Sequence, residues 1–380
     1  MFGLHHHFLL DPSITFLNHG SFGATPRPVF QVYQRWQREL ERQPVEFLGR
    51  RYTDLMRASR QSLGDYLGTE ANNLVYTTNV TESLNIVAHS LSLGPGDEVL
   101  GTDHEYGALD RTWRFLAKER SFAYISQSIP VPLTTPQAFI TALWKGVTSR
   151  TRVIFLSHIT SPTGLIFPVE EVIHRARQAG ILTIIDGAHA PGQIQLQLDE
   201  LGADYYGGNL HKWLCAPKGA GFLYARPEVQ HLLKPLVISW GYDAEVAGPS
   251  KFIDHHEWTG TRDIAAFLSV PAAIEFQKEH DWDKVRIACH ELIYETQERI
   301  CALGGLPPLS DDSWFGQFVS APLSDAIDLG VLKKRLYYEH RIEVPLILWN
   351  GRKFIRVSVQ GYNTRRDVEK LIKALGELAG

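Results

Sequence analysis

Between residues 74 and 225, short runs rich in β-branched and aromatic residues alternate with stretches of helical spacing, and this alternation limits the fold most. The apolar runs are Leu74–Thr78, Glu98–Gly101, Ala123–Ile125, Arg152–Ser157, Ile181–Ile185, Ala203–Gly207 and Gly221–Ala225. Helical patterns stand between them at Thr81–Leu91, Tyr106–Glu119, Pro136–Val147 and Val169–Ala179. Leu84, Val87, Ala88 and Leu91 share one face of the first, and Leu109, Trp113 and Leu116 one face of the second. Strand-like runs alternating with helices at this spacing predict an α/β unit. Its seven-stranded, mostly parallel sheet lies between helices.

The pattern changes after about residue 260. Ala265–His280 and Trp282–Leu303 read as long helices, Phe315–Ala321 as a strand and Asp325–Glu339 as a helix. Val344–Leu348 and Phe354–Val359 flank Asn350-Gly351, a strong hairpin signal. Thr364–Ala379 closes the chain as a helix. This reads as a smaller α+β unit. We expect a large domain over residues 19–260 and a small one from residues 1–18 and 261–380, although composition does not place the N-terminal segment.

With 44% hydrophobic and 21% charged residues, the chain is globular rather than disordered. No run nears the roughly 20 apolar residues of a membrane-spanning helix. A net charge of -4 gives no reason to expect nucleic acid. Three cysteines are too few for a disulfide framework, and with no secretory signal pattern they suit the cytoplasm. His5-His6-His7 reads as a solvated terminal run, and we expect no metal site.

In open α/β sheets, ligands sit at the carboxyl ends of strands. Asn79-Val80-Thr81-Glu82-Ser83 follows the first run and opens a helix, whose free N–H groups suit an anion. Asp103-His104-Glu105-Tyr106 follows the second and offers a ring to stack on a flat ligand. Asp186 ends the fifth, where a carboxylate is costly unless it meets a cation, and His189 follows three residues on. Asn209-Leu210-His211-Lys212 follows the sixth. A lysine in a poorly hydrated, cationic setting loses proton affinity and turns to Schiff-base chemistry. A lysine for an aldehyde, an anion for a ring nitrogen and a phosphate cup together suit an electron-sink cofactor. No G-x-x-x-x-G-K-[ST] loop or convincing dinucleotide fingerprint stands beside them.

These residues resemble the class V aminotransferase-fold enzymes that depend on pyridoxal 5'-phosphate (PLP). The likeness is carried by Asp186–His189, by Asn209–Lys212 and by Pro217-Lys218-Gly219. Within that group the chain is similar to the isopenicillin N epimerase-like branch, through the segments 16–24, 43–47, 103–108 and 258–263. The resemblance implies PLP fold type I and a homodimer with shared active sites. It gives Lys212 the cofactor's aldehyde and the substrate Cα proton, Asp186 the ring nitrogen, and His189 the ring oxygen O3′. Tyr106 would stack on the ring and is the candidate acid on its far face. Val80, Thr81, Asn209 and His211 would bind phosphate, and Gly260 and Thr261 the phosphate of the neighbouring subunit. Arg356 would hold the carboxylate of an amino-acid-type substrate, with Asn18 and Gly20 closing over it.

Reaction type is less constrained. Desulfurases of this group use a cysteine in the loop before the carboxylate-binding arginine, and residues 340–354 contain none. The first expectation is therefore an isopenicillin N epimerase-like enzyme. A β-eliminating C–S lyase on a cysteine derivative, similar to hercynylcysteine sulfoxide lyase, ranks second and a class V aminotransferase third.

Overall fold

The computed structural model describes residues 3–379. Its strands are β1 (Thr15–Phe16), β2 (Leu74–Thr77), β3 (Glu98–Thr102), β4 (Ala123–Gln127), β5 (Thr151–Ser157), β6 (Leu182–Gly187), β7 (Tyr205–Asn209), β8 (Gly221–Ala225), β9 (Phe318–Leu323), β10 (Ile342–Glu343), β11 (Leu346–Trp349) and β12 (Arg352–Ser358). The central sheet has seven strands in the order β2-β8-β7-β6-β5-β3-β4. Only β8 opposes the rest, pairing antiparallel with both β7 and β2. Covered on both faces, β2, β7 and β8 are buried at every residue, as near-continuous apolar runs require. This is the α/β architecture expected from the sequence, with the smaller C-terminal sheet β11-β12-β9 antiparallel.

One reversal in the large sheet shapes the site. A parallel pair needs a crossover, whereas β7 returns directly as β8 through residues 210–220. That return segment carries Lys212 and lies at the carboxyl end of β7. Glycine lets the neighbouring helix Val80–Ser90 press onto the sheet there. A Cβ on Gly207 would come within 2.9 Å of Val80 Cγ2 and 3.0 Å of Leu84 Cδ2.

Several boundaries differ from expectation for local reasons. The helix expected at Ala265–His280 is two, Ala265–Leu268 and Val270–Glu279, because Pro271 cannot continue the first. The strand expected from Phe315 begins at Phe318, behind a turn at Asp312–Trp314. The helix expected from Asp325 starts at Leu329, where Asp328 caps the Val331 N–H. Asn350 and Gly351 both take positive φ, 47° and 74°, as a two-residue hairpin turn demands. The N-terminal segment joins the C-terminal strands: β1 pairs parallel with β10, and Asn18 bridges Ser358. Among the described residues, no helix is long and apolar enough to cross a membrane.

Candidate active site

A cleft of about 520 Å³ opens where the carboxyl ends of β2, β6 and β7 meet the N-terminal segment. Its walls include Thr81, Tyr106, Asp186, His189, Asn209, His211 and Lys212. The strand-end residues singled out in the sequence therefore converge.

Asp186 forms the floor. It is buried; its Oδ1 accepts the Ala188 N–H at 2.9 Å, while Oδ2 has no donor within the chain. Burial lifts its carboxyl above the ordinary range, opposed by the Ala188 hydrogen bond and by the charge of Lys212. A buried carboxylate oxygen lacking a partner fits a protonated ring nitrogen, which would supply both a hydrogen and a positive charge. Lys212 is half-buried, with Nζ 3.1 Å from His189 Nε2. Burial, then the charge of Arg356, brings its ammonium well below the usual lysine range, so much of it is a nucleophilic free base near neutrality.

One end of the cleft is built for an anion. Asn79 caps the helix Val80–Ser90 by accepting the Glu82 N–H at 3.0 Å. Val80 N–H is already engaged, donating to Asn209 Oδ1 at 2.9 Å, so Asn209 acts on this turn by tethering it to β7. Thr81 remains on the cleft wall, in a first turn whose N–H groups lack intrahelical acceptors. His211 donates through Nδ1 to the Ala220 carbonyl at 3.2 Å, and burial lowers its pKa to about 4. A neutral ring so oriented leaves Nε2 as an acceptor. Lys218, exposed on the rim, adds positive charge that sequence reasoning left unassigned.

Behind the cleft wall formed by Ser21 and Ser161 stands Arg356, on β12 and buried. Its Nη1 donates to Ser161 O at 2.8 Å and Oγ at 3.1 Å, and its Nη2 to Ser21 Oγ at 3.0 Å. Nε has no partner within the chain, and burial brings the guanidinium down to about 10. An arginine held by neutral groups keeps its charge available for a carboxylate. Of the two N-terminal residues expected at the substrate, neither lines the cleft; Ser21 and Phe22 do. Asn18 stands behind, accepting Ser21 Oγ–H at 2.5 Å and donating to Glu343 at 2.9 Å. Gly20 is a point of close approach, where a Cβ would lie 3.0 Å from Ser358 Oγ and 3.7 Å from His189 Cε1.

Tyr106 precedes the helix Gly107–Arg120 and is 41% exposed over the cleft. Neighbouring Glu105, missed in the sequence, is buried. Its Oε2 accepts Ser157 N–H and Oγ–H at 2.8 and 2.6 Å, and Oε1 accepts Thr102 Oγ–H at 2.6 Å. Gly260 and Thr261 do not line the cleft of their own chain; Thr261 is exposed, and Arg262 pins the segment to Thr259 and Glu257. Cys215, Cys289 and Cys301 are all buried, and burial raises their thiols, Cys215 and Cys289 to about 12, so none is a ready nucleophile.

Comparison with known proteins finds relatives over nearly the whole chain. The chain is 37% identical to isopenicillin N epimerase from Amycolatopsis lactamdurans, across 97% of this chain and 96% of that one. It is 34% identical to isopenicillin N epimerase from Streptomyces clavuligerus, across 98% and 96%. A C-DES mutant solved with glycine covalently linked to its PLP cofactor superposes with a TM-score of 0.88 at 20% identity, over 98% of this chain and 99% of that one, a likeness of fold. The model of the family described as Aminotransferase class-V matches residues 23–312, and the chain belongs to that family.

Proposed function

We propose that this chain is a PLP-dependent enzyme that inverts configuration at the α-carbon of an amino acid or small peptide. The observation that carries the reading is one cleft holding the Lys212 amine and Asp186 Oδ2 with no donor, backed by the Arg356 guanidinium, which bonds to Ser21 and Ser161 of its wall. The two relatives named isopenicillin N epimerase, similar over nearly their whole length, support the reaction type.

When bound, PLP supplies an electron sink that stabilises negative charge at the substrate Cα. Asp186, whose Oδ2 lacks a donor, would pair with the ring nitrogen and favour its protonated form. Thr81 would hold the phosphate through its hydroxyl and N–H, and His211 would join it where the anion's charge draws a proton to Nε2. Arg356 fixes the substrate carboxylate, so that Cα faces Lys212. Lys212 Nζ removes or returns the Cα proton on its own side. The Tyr106 hydroxyl, or water it holds, serves the opposite side, and the choice of side sets the outcome. Gly260 and Thr261 complete the phosphate site of a second copy, giving a homodimer with shared sites. Three buried free thiols suit work in the cytoplasm.

The test has two arms. Borohydride treatment of the purified protein, followed by peptide mapping, should find the cofactor on Lys212; a label on Lys218, or none, would overturn the cofactor assignment. A panel of amino acids and small peptides should then give chirally inverted product. Pyruvate and ammonia from a cysteine derivative, without inversion, would identify a β-eliminating C–S lyase instead.

A further inference from the structure

His189 stands between two groups with opposite demands. On one side Trp213 Nε1–H donates to His189 Nδ1 at 3.1 Å; on the other, His189 Nε2 lies 3.1 Å from Lys212 Nζ. An indole nitrogen is a donor only, so the ring nitrogen facing it must be an unprotonated acceptor. A neutral imidazole then carries its one hydrogen on Nε2, the nitrogen that faces Lys212 and the cleft. We infer that Trp213 is a positioning residue that locks His189 in the neutral Nε2–H tautomer, and through it presents a fixed donor to Lys212 and the bound cofactor.

The surroundings hold that geometry. Trp213 is fully buried and stacks on Phe318, with ring centres 5.6 Å apart at 20°. His19 also packs against it, with ring centres 5.0 Å apart. The Trp213 carbonyl accepts Gln277 Nε2–H at 2.8 Å, and the His189 carbonyl accepts Gln193 Nε2–H at 2.8 Å, so both backbones are anchored. The N-terminal segment packs on the pair at Gly20, whose Cβ position is 3.4 Å from the indole and 3.7 Å from the imidazole. Protonation of His189 is opposed by its burial first, then by the charges of Lys212, Arg356, His211 and His19 around it.

The other tautomer fails against the indole. A hydrogen on Nδ1 would face the indole hydrogen, leaving two buried donors without an acceptor. With Nε2–H instead, the contact to Nζ requires the lone pair of an unprotonated Lys212. The same indole bond thus favours the free-base lysine, in agreement with its lowered proton affinity. The part of the inference that concerns the cofactor rests on the PLP reading; the tautomer itself does not.

The experiment is long-range ¹H–¹⁵N correlation on histidine-labelled protein, with and without its cofactor, from pH 6 to 9. The expected result is a single neutral Nε2–H ring for His189 across that range. In Trp213→Phe the ring should populate Nδ1–H or imidazolium. The pH midpoint of the bound cofactor's absorbance should also move by about one pH unit, a tenfold change in proton affinity. Benzothienylalanine at position 213 keeps the indole shape without the N–H; it should behave as Trp213→Phe does, and it decides the matter if that variant does not fold. An Nδ1–H or charged His189 in the unaltered protein overturns the inference, as does a single Nε2–H ring that survives loss of the indole N–H. Absence of any cofactor absorbance would count against the PLP reading alone, because the tautomer is read equally well in the cofactor-free chain.

Discussion

Neutralising Glu105 should make the cofactor-free protein more stable at neutral pH, and the gain should vanish in acid. Burial, reinforced by the charge of Asp186 and opposed by hydrogen bonds from Ser157 and Thr102, lifts its carboxyl from 4.5 to about 7. In the unfolded chain the same group releases its proton near 4.5. Folding therefore takes up a proton between those values, so this group's contribution is fully favourable below about pH 4.5 and is lost as pH rises through 7. At about 1.4 kcal/mol per pH unit, the cost above pH 7 is about 3 kcal/mol. Glu105→Gln removes that charge and can keep both bonds from Ser157 through its amide oxygen. At Thr102 the direction reverses, with the amide nitrogen donating to Oγ1. Urea unfolding of both cofactor-free proteins at pH 5 and pH 8 isolates the effect, because other titrations cancel in the difference. We expect the variant to gain about 2–3 kcal/mol at pH 8 and little at pH 5. An equal difference at the two pH values, or a loss of stability at pH 8, would refute the reasoning.

Other consequences follow from the same geometry. Lys212→Ala should retain the fold by circular dichroism yet lose turnover, because the lysine does chemistry rather than packing. Arg356→Lys should lower kcat/KM by roughly 10–100-fold, since a point charge cannot replace a guanidinium fork already bonded to Ser21 and Ser161; equal turnover of amines lacking the carboxylate would give Arg356 a structural role only. Thr261→Ala should weaken PLP retention by about tenfold, the worth of one hydrogen bond to a charged group, and a fully active monomer in ultracentrifugation would contradict the shared site.

The sheet was legible because its strands are buried on both faces and must be apolar throughout, as β2, β7 and β8 are. Residues at their carboxyl ends could then be read in order, and Asp186, His189, His211 and Lys212 meet as that order suggested. Helices Arg27–Arg42 and Tyr52–Leu67 were not read. The first carries Val29, Tyr33, Trp36 and Leu40 at helical spacing, so its period was present in the sequence and went unread. The pairing of Thr15–Phe16 with Ile342–Glu343 depends on a tertiary approach that no local pattern encodes. The same holds for the groups that act through others. Ser21, one residue past Gly20, was within a recognised motif, yet its bond to Arg356 required β12 to be placed. Glu105 and Trp213 each adjoin a residue singled out for chemistry, and adjacency in the chain was the available signal. Their roles follow from what lies across the fold, Ser157 for one and His189 for the other.

The central claim is inversion at Cα, and solvent deuterium tests it most directly. Single-enantiomer amino acids and small peptides are incubated with the holoenzyme in D₂O, and products are analysed for configuration and isotope. The expected result is inverted product bearing deuterium at Cα, and in Tyr106→Phe an inversion slower by roughly 10²–10⁴-fold with PLP still bound, the usual worth of one acid–base group. Release of pyruvate and ammonia, with no inverted product from any substrate tested and no effect of Tyr106→Phe, would contradict it.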